Sequence, residues 1–277
     1  MPQPDDAPLF TPYTLGELRF RNRVVMASMT RGRARNVELA STELHVEYHR
    51  QRAAADLILA EGNWISPRAI RFINAPRLFT ERQVEGWRAV TTAVHSESGA
   101  IYAQLAHSAA VPHPDFFDGE FGSTDKTIET YDYLVGRLNG LSLSYLHVGK
   151  ALNDLSGTPI AALQDTIGYY RARFKDTLIP NFGFDRASAH TAIESKRADL
   201  VSFAKPFICN PDLVRRFRED LPLADPSPET HYQGGLQGYV NYPAASRGDD
   251  PHPEGNTTHQ STTASWSTNQ KGIQLWK

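Results

Sequence analysis

Cysteine is nearly absent from this chain, because Cys209 is the only one among its 277 residues. A single cysteine excludes an internal disulfide framework and the zinc sites that are built from several cysteines. No apolar run approaches the roughly 18 residues that span a bilayer, and residues 1–6 lack the basic stretch and apolar segment of a secretory signal. We therefore expect a protein of a reducing, cytoplasmic compartment that does not enter membranes.

An excess of charge of one sign is also missing. The 29 lysines and arginines nearly balance the 31 aspartates and glutamates, and no block of like charge occurs. This balance gives no reason to expect a nucleic acid or an anionic membrane as a partner. The chain is 40% hydrophobic, which is enough for a substantial core in one large domain or two small ones.

Short runs of valine, isoleucine and leucine alternate along the chain with longer amphipathic stretches. This alternation is typical of buried parallel strands joined by crossover helices, and it predicts an α/β fold. The predicted strands cover residues 23–29, 56–62, 99–107, 143–148, 178–184 and 199–204, and the predicted helices cover 43–54, 81–96, 126–139 and 186–195.

Two groups of motifs, one in the first part of the chain and one in its last third, are characteristic of the same family. The first reads LFTP at residues 9–12 and NRVVMASMTR at residues 22–31, and the second reads ADLVSFAKPFI at 198–208, YQGG at 232–235 and GYVNYP at 238–243. Together they resemble the Old Yellow Enzyme family of FMN-dependent ene-reductases. The resemblance covers residues 9–243 except a junction near 119–125, and it implies a TIM (β/α)8 barrel.

The resemblance assigns the six predicted strands to barrel positions one, two, three, six, seven and eight. The fourth and fifth strands have no counterpart, and two units of about 30 residues each account for most of the shortfall in length. We therefore expect an incomplete barrel of about six strands over residues 1–243, with either a gap or a tighter closure. Exposed strand edges favour pairing, so a homo-oligomer is one expectation.

Residues 244–277 differ from the rest of the chain in composition. They are rich in serine, threonine, glycine, proline, asparagine and histidine and contain almost no aliphatic residues. Such a composition cannot bury enough apolar surface to offset the entropy lost on ordering, and it predicts a disordered tail.

The resemblance also implies which residues bind the flavin, each of them at the carboxyl end of a strand, where barrel enzymes place their sites. The implied cofactor residues are Ser28, Met29, Thr30, Gly62, Gln104, Gly183, Ala204 and Lys205. Some of them also have a purely structural interpretation: Thr30 as a cap, Gly62 as a turn residue and Gln104 as a partner for backbone groups.

The phosphate end departs from the family pattern. Lys205 stands where the family has an arginine, and lysine lacks the planar fork that grips two phosphate oxygens. Phe182 precedes Gly183 where adjacent glycines are usual, so it adds bulk where the backbone must approach the phosphate.

The residues that surround the substrate in the resembled family differ even more in this chain. The family's His-Asn or His-His pair and its tyrosine acid lie on the missing fourth strand, and its flavin-facing arginine lies on the missing fifth. Tyr232 matches a tyrosine that lines the substrate pocket, and Thr30 and Tyr232 are the candidate catalytic residues. His107, His113 and His147 cannot replace the missing pair, and we interpret His147 as structural. No metal site is expected.

The resemblance therefore implies an oxidoreductase that passes hydride from NADPH through FMN to the C=C bond of a small α,β-unsaturated carbonyl compound, in secondary metabolism or detoxification. Without the carbonyl clamp, enone reduction should be strongly impaired. Two alternatives stay open: a catalytically inactive relative that binds a partner, and a non-redox enzyme that binds a small molecule in the altered pocket.

Overall fold

The computed structural model of the chain describes residues 7–67, 69, 72–106, 125–151 and 153–246. The strands are β1 Tyr13–Leu15, β2 Leu18–Phe20, β3 Val24–Met26, β4 Leu57–Trp64, β5 Ala100–Ala106, β6 Leu146–Gly149, β7 Leu178–Asn181 and β8 Val201–Phe203. The helices are α1 Glu43–Arg50, α2 Glu81–Ser96, α3 Asp125–Leu138, α4 Thr166–Arg171, α5 Arg186–Glu194, α6 Lys205–Cys209 and α7 Leu213–Glu219. Single 3₁₀ turns lie at Pro8–Phe10, Ala53–Ala55, Ala161–Leu163 and Pro228–Thr230.

Six parallel strands form an arc. Four of them pair in the order β5-β4-β3-β8, and β6 pairs with β7. The two groups adjoin, because the Asp199 amide donates to the Leu178 carbonyl (3.1 Å) and the Ser202 hydroxyl donates to the Pro180 carbonyl (3.1 Å). Pro180 has no amide hydrogen, so it cannot donate to a backbone ladder at this junction. The order β5-β4-β3-β8-β7-β6 is that of a barrel without two neighbours, which confirms the predicted incomplete barrel.

The arc nearly closes at the amino ends of its strands. The antiparallel hairpin β1–β2 turns Leu15 and Phe20 into this end, where they join a buried cluster with Val25, Leu57, Leu59, Ile179 and Leu200. Tyr102 on β5 stacks against Tyr145, which precedes β6, with ring centroids 6.0 Å apart. The two outer strands therefore contact each other through side chains across the gap.

At the carboxyl ends the outer strand β5 stays open. Most of the last residues of β5 are exposed to solvent, and the Leu105 side chain is 63% exposed. An arc that is packed at one end and open at the other is the physical outcome of removing two strands from a barrel whose tilt and stagger fit eight.

Capping residues explain why some helix boundaries agree with the sequence. Helix α2 begins after Thr80, whose hydroxyl accepts from the Gln83 amide (3.4 Å) while the Gln83 side chain accepts from the Thr80 amide (3.2 Å). This capping box satisfies backbone donors at the helix start, and the predicted bounds 81–96 are confirmed. Asp185 and Ser188 form the same arrangement at α5, one residue shorter than predicted.

Several predicted elements are shorter in the structure. Helix α1 ends at Arg50 rather than 54, because a 3₁₀ turn at Ala53–Ala55 follows it. Strand β3 ends at Met26 rather than 29, because the chain leaves the sheet to line the cleft described below. Strands β6 and β7 and the strand β8 are likewise shorter than their predicted ranges. Helices α4, α6 and α7 were not predicted.

Some predictions lie outside the described residues: those on His107 and His113, the junction up to residue 124, and the tail beyond residue 246. The described residues up to 245 form one compact unit. Among the described residues, no helix is long and apolar enough to cross a membrane. Within the same residues no cluster of three or more histidine, cysteine, aspartate or glutamate side chains could hold a metal ion.

Candidate functional site

A cleft of about 730 Å³ opens at the carboxyl ends of β3, β7 and β8. Its lining comes from residues 28–31, 181–184, 202–206 and 231–232, together with Phe72 and Ile208. The cleft therefore brings together seven of the predicted site residues, namely Ser28, Met29, Thr30, Gly183, Ala204, Lys205 and Tyr232. Its volume lies within the range of small-molecule and cofactor sites.

The remaining two predicted residues lie beside the cleft. Gln104 pairs with Gly62 across β4 and β5, and the Ser28 hydroxyl donates to the Gln104 side-chain carbonyl oxygen at 2.5 Å. A Cβ atom on Gly62 would stand 3.5 Å from that same oxygen. The strand ends thus place Ser28, Gly62 and Gln104 on one continuous surface. Their contact with a flavin stays a prediction.

Two buried arginines hold the loop after β3 against the chain near Tyr232. Arg31 is 1% exposed and donates to the Tyr48 hydroxyl (2.9 Å), the His231 carbonyl (2.9 Å) and the Gly238 carbonyl (2.8 Å). Arg33 donates to the His231 carbonyl (3.1 Å) as well. Because the bonds to His231 and Gly238 join residues about 200 positions apart, they fix the wall of the cleft that contains His231 and Tyr232.

Glu61 supports the same loop from β4. Its carboxylate is 3% exposed and accepts the Arg31 backbone amide at 3.1 Å. Burial raises its pKa to about 7, although the backbone bond and the nearby arginine charges favour the ionised form. The sequence interpretation missed Glu61, although a single charged residue within the run LILAEGNW at residues 57–64 is a signal that could have identified it.

The cleft is electropositive. Of the residues described in its lining, none is an aspartate or glutamate, whereas Arg31 and Lys205 are cations. Burial, together with the charges of Arg31 and Lys205, lowers the pKa of His231, so this imidazole is neutral at pH 7. A cleft with this charge favours an anionic ligand.

The phosphate end differs from the sequence interpretation in one respect. Phe182 and Gly183 both have positive φ, at 71° and 68°. The Phe182 ring lies against the neighbouring strand, where a Cβ on Gly149 would come within 2.7 Å of it. The aromatic bulk is therefore accommodated by a glycine at the end of β6, and Gly183 remains exposed at the cleft.

His147 lies away from the mouth of the cleft. Its Nε2 atom and the Ser202 hydroxyl are 2.8 Å apart, a hydrogen bond that ties β6 to β8 across β7. Burial lowers the pKa of this imidazole. Because this hydrogen bond holds two strands together, it supports the interpretation of His147 as a structural residue.

The residues present fit FMN. The ligand carries a phosphate, which suits a cleft with an exposed lysine, no acidic lining residue among those described, and an exposed glycine. The apolar side of the lining, with Met29, Phe184 and Phe203, suits a planar ring system.

Comparison with known proteins agrees with the sequence motifs. Residues 8–116 match the family described as NADH:flavin oxidoreductase / NADH oxidase. A 12-oxophytodienoate reductase-like protein of Solanum lycopersicum is 24% identical over 353 residues, covering 85% of this chain and 96% of that protein. A flavin oxidoreductase of Emericella nidulans is 40% identical over 117 residues, which are 41% of this chain and 30% of that protein.

Solved structures show the same fold. Morphinone reductase superposes with a TM-score of 0.74 at 25% identity, covering 88% of this chain and 98% of that one. The Old Yellow Enzyme homologue from Zymomonas mobilis gives 0.72 at 23% identity, covering 86% and 99%. The alignment with the Solanum lycopersicum protein is longer than this whole chain and spans 96% of the relative. The chain is therefore shortened internally, as the sequence predicted.

Proposed function

We propose that this chain is an FMN-dependent oxidoreductase of the Old Yellow Enzyme type, which binds FMN in the cleft, oxidises NADPH and reduces small α,β-unsaturated carbonyl compounds slowly. The observation that carries the proposal is the gathering of residues 28–30, Gly183 and Lys205 in one electropositive cleft at the strand ends. When bound there, FMN would supply the means of transferring a hydride from a reduced nicotinamide to an activated double bond.

The protein's own residues have separate tasks in this proposal. Thr30 presents its hydroxyl to the ring edge, and Gln104, held by the Ser28 hydroxyl, presents an amide to the pyrimidine edge. Gly62 leaves room for its backbone to approach the ring, and Lys205 binds the phosphate. Tyr232, 70% exposed at the mouth, contacts the substrate.

Slow reduction of enones follows from the missing strands. Hydride transfer to a carbonyl-activated double bond needs fixed donors that hold the carbonyl oxygen as negative charge develops there. In the resembled family these donors lie on the fourth strand, which has no counterpart in this chain. Oxidation of NADPH needs only the bound flavin and room for the nicotinamide, so we expect it to be retained better than enone reduction.

The first test is flavin binding. The purified protein, mixed with FMN and then passed through a desalting column, should retain an absorption band near about 450 nm. Thr30→Val and Gln104→Leu should weaken retention, while Thr127→Val on α3 is a matched substitution away from the cleft. A folded sample, judged by circular dichroism, that retains no FMN would sink the proposal.

A second candidate function is favoured by the open side of the arc. Leu105, on the edge strand β5, is 63% exposed, and Tyr133 on α3 is 71% exposed; exposed apolar groups of this size favour association. We propose as this alternative a catalytically inactive relative that pairs with a second copy. Light scattering on the flavin-free protein should then give a dimer, and a monomer at all concentrations would exclude it.

A further inference from the structure

Lys150 and Lys205 stand on either side of the end of β7. Lys150 follows β6 directly, Lys205 follows β8, and Gly183 lies between them after β7. The Lys150 amide donates to the Asn181 carbonyl at 3.0 Å, which fixes its backbone to the end of β7. The lysine is therefore positioned by the sheet and not by a loop alone.

Its side chain points towards the cleft. Nζ of Lys150 is 3.9 Å from the place that a Cβ on Gly183 would occupy, and it lies 5.9 Å from the centroid of the Phe184 ring. Gly183 and Phe184 both line the cleft. These two distances locate the ammonium group of Lys150 at the rim of the cleft, beside Gly183.

Neither lysine is neutralised. Within the part of the chain that the structure describes, Lys150 and Lys205 form no ion pair, whereas Arg171, Arg186 and Arg197 do. An ammonium group without a carboxylate partner, next to an exposed glycine amide and a lining without acidic residues, is suited to bind an anion.

We propose that Lys150 is a second phosphate-binding residue, which acts with Lys205 on the phosphate of FMN. The inference rests on the proposed function. A guanidinium offers two parallel donors to a phosphate, whereas one ammonium is a point charge. Two ammonium groups, one after each of the strands that flank β7, supply the second charge-assisted contact that a single lysine cannot make.

Riboflavin provides the discriminating ligand, because it has the same ring system as FMN but no phosphate. Dissociation constants of both ligands are measured by fluorescence quenching for the unaltered protein and for Lys150→Met, which keeps an apolar stem. We expect FMN to bind about tenfold more weakly to the variant, as loss of one charge-assisted contact implies, and riboflavin to bind equally well.

Three further variants complete the design. Lys205→Met should resemble Lys150→Met, and Lys150→Arg should restore FMN binding because it keeps the charge. Lys175→Met is the matched control, since Lys175 precedes β7 and lies at the opposite end of the strands. In addition, salt should weaken FMN binding more in the unaltered protein than in Lys150→Met.

The outcomes are distinct. An unchanged ratio of FMN to riboflavin affinity in Lys150→Met, with a changed ratio in Lys205→Met, overturns the role of Lys150 and leaves the proposed function intact. If Lys150→Met weakens FMN binding and riboflavin binding equally, the substitution acts through the structure, and this result also overturns the role of Lys150. A folded, unaltered protein that binds neither ligand overturns the proposed function and this inference together.

Discussion

Replacing Glu61 with glutamine should make the stability of the protein less dependent on pH. Glu61 is 3% exposed, and its carboxylate accepts the Arg31 amide inside the fold. Glutamine has nearly the same shape and keeps an oxygen acceptor for that amide, but it carries no charge. The substitution therefore removes the cost of burying an ionised group while leaving the contact in place.

The magnitude follows from the pKa of Glu61, which burial raises from 4.5 to about 7. Below pH 4.5 the group is protonated in both the folded and unfolded protein, so it does not disfavour folding. As the pH rises from 4.5 to about 7, the unfolded protein releases the proton first, and each pH unit costs the fold about 1.4 kcal/mol. The cost levels off above pH 7 at about 3 kcal/mol, an order-of-magnitude figure.

The assay is urea unfolding at pH 5 and pH 8 for the unaltered protein and Glu61→Gln. Between these values the stability of the variant should rise by about 2 to 3 kcal/mol relative to that of the unaltered protein. Glu17→Gln, at an exposed turn residue, reports any effect of the same exchange at the surface. A difference between variant and unaltered protein that is equal at both pH values would refute the argument, since it would mean that Glu61 does not titrate in this interval.

Two further predictions concern packing. Gly149→Ala should destabilise the fold by about 1 to 2 kcal/mol in urea unfolding, because its Cβ would meet the Phe182 ring at 2.7 Å. If that contact is the cause, the penalty disappears in the background of Phe182→Ala, and its persistence would contradict us. Tyr145→Ala should lower the free energy of unfolding by about 2 kcal/mol, because it removes the stack on Tyr102. The control Tyr133→Ala, at a 71% exposed ring, should lower it by less than about 0.5 kcal/mol. Equal losses in the two variants would show that Tyr102 and Tyr145 do not bridge the gap.

The sequence determined those parts of the fold that depend on neighbours along the chain. The capping residues Thr80 and Gln83 set the start of α2, and the buried run 57–64 was recognisable as a strand although its last residues were not included. The residues after each strand share one end of a parallel arrangement, and for this reason the predicted site residues meet in and beside one cleft. The motifs further predicted the resemblance to the Old Yellow Enzyme family and the absence of two barrel units.

Only the tertiary structure decided how the six strands meet and which unsuspected residues reach the cleft. The Tyr102–Tyr145 stack, the Arg31 bonds to His231 and Gly238, and the approach of Lys150 to Gly183 all join distant parts of the chain. Such contacts depend on the path of the whole backbone and on which groups share a buried space. Capping and hydrophobic periodicity act over a few residues only, so they can place a helix or a strand end but cannot show what will face it.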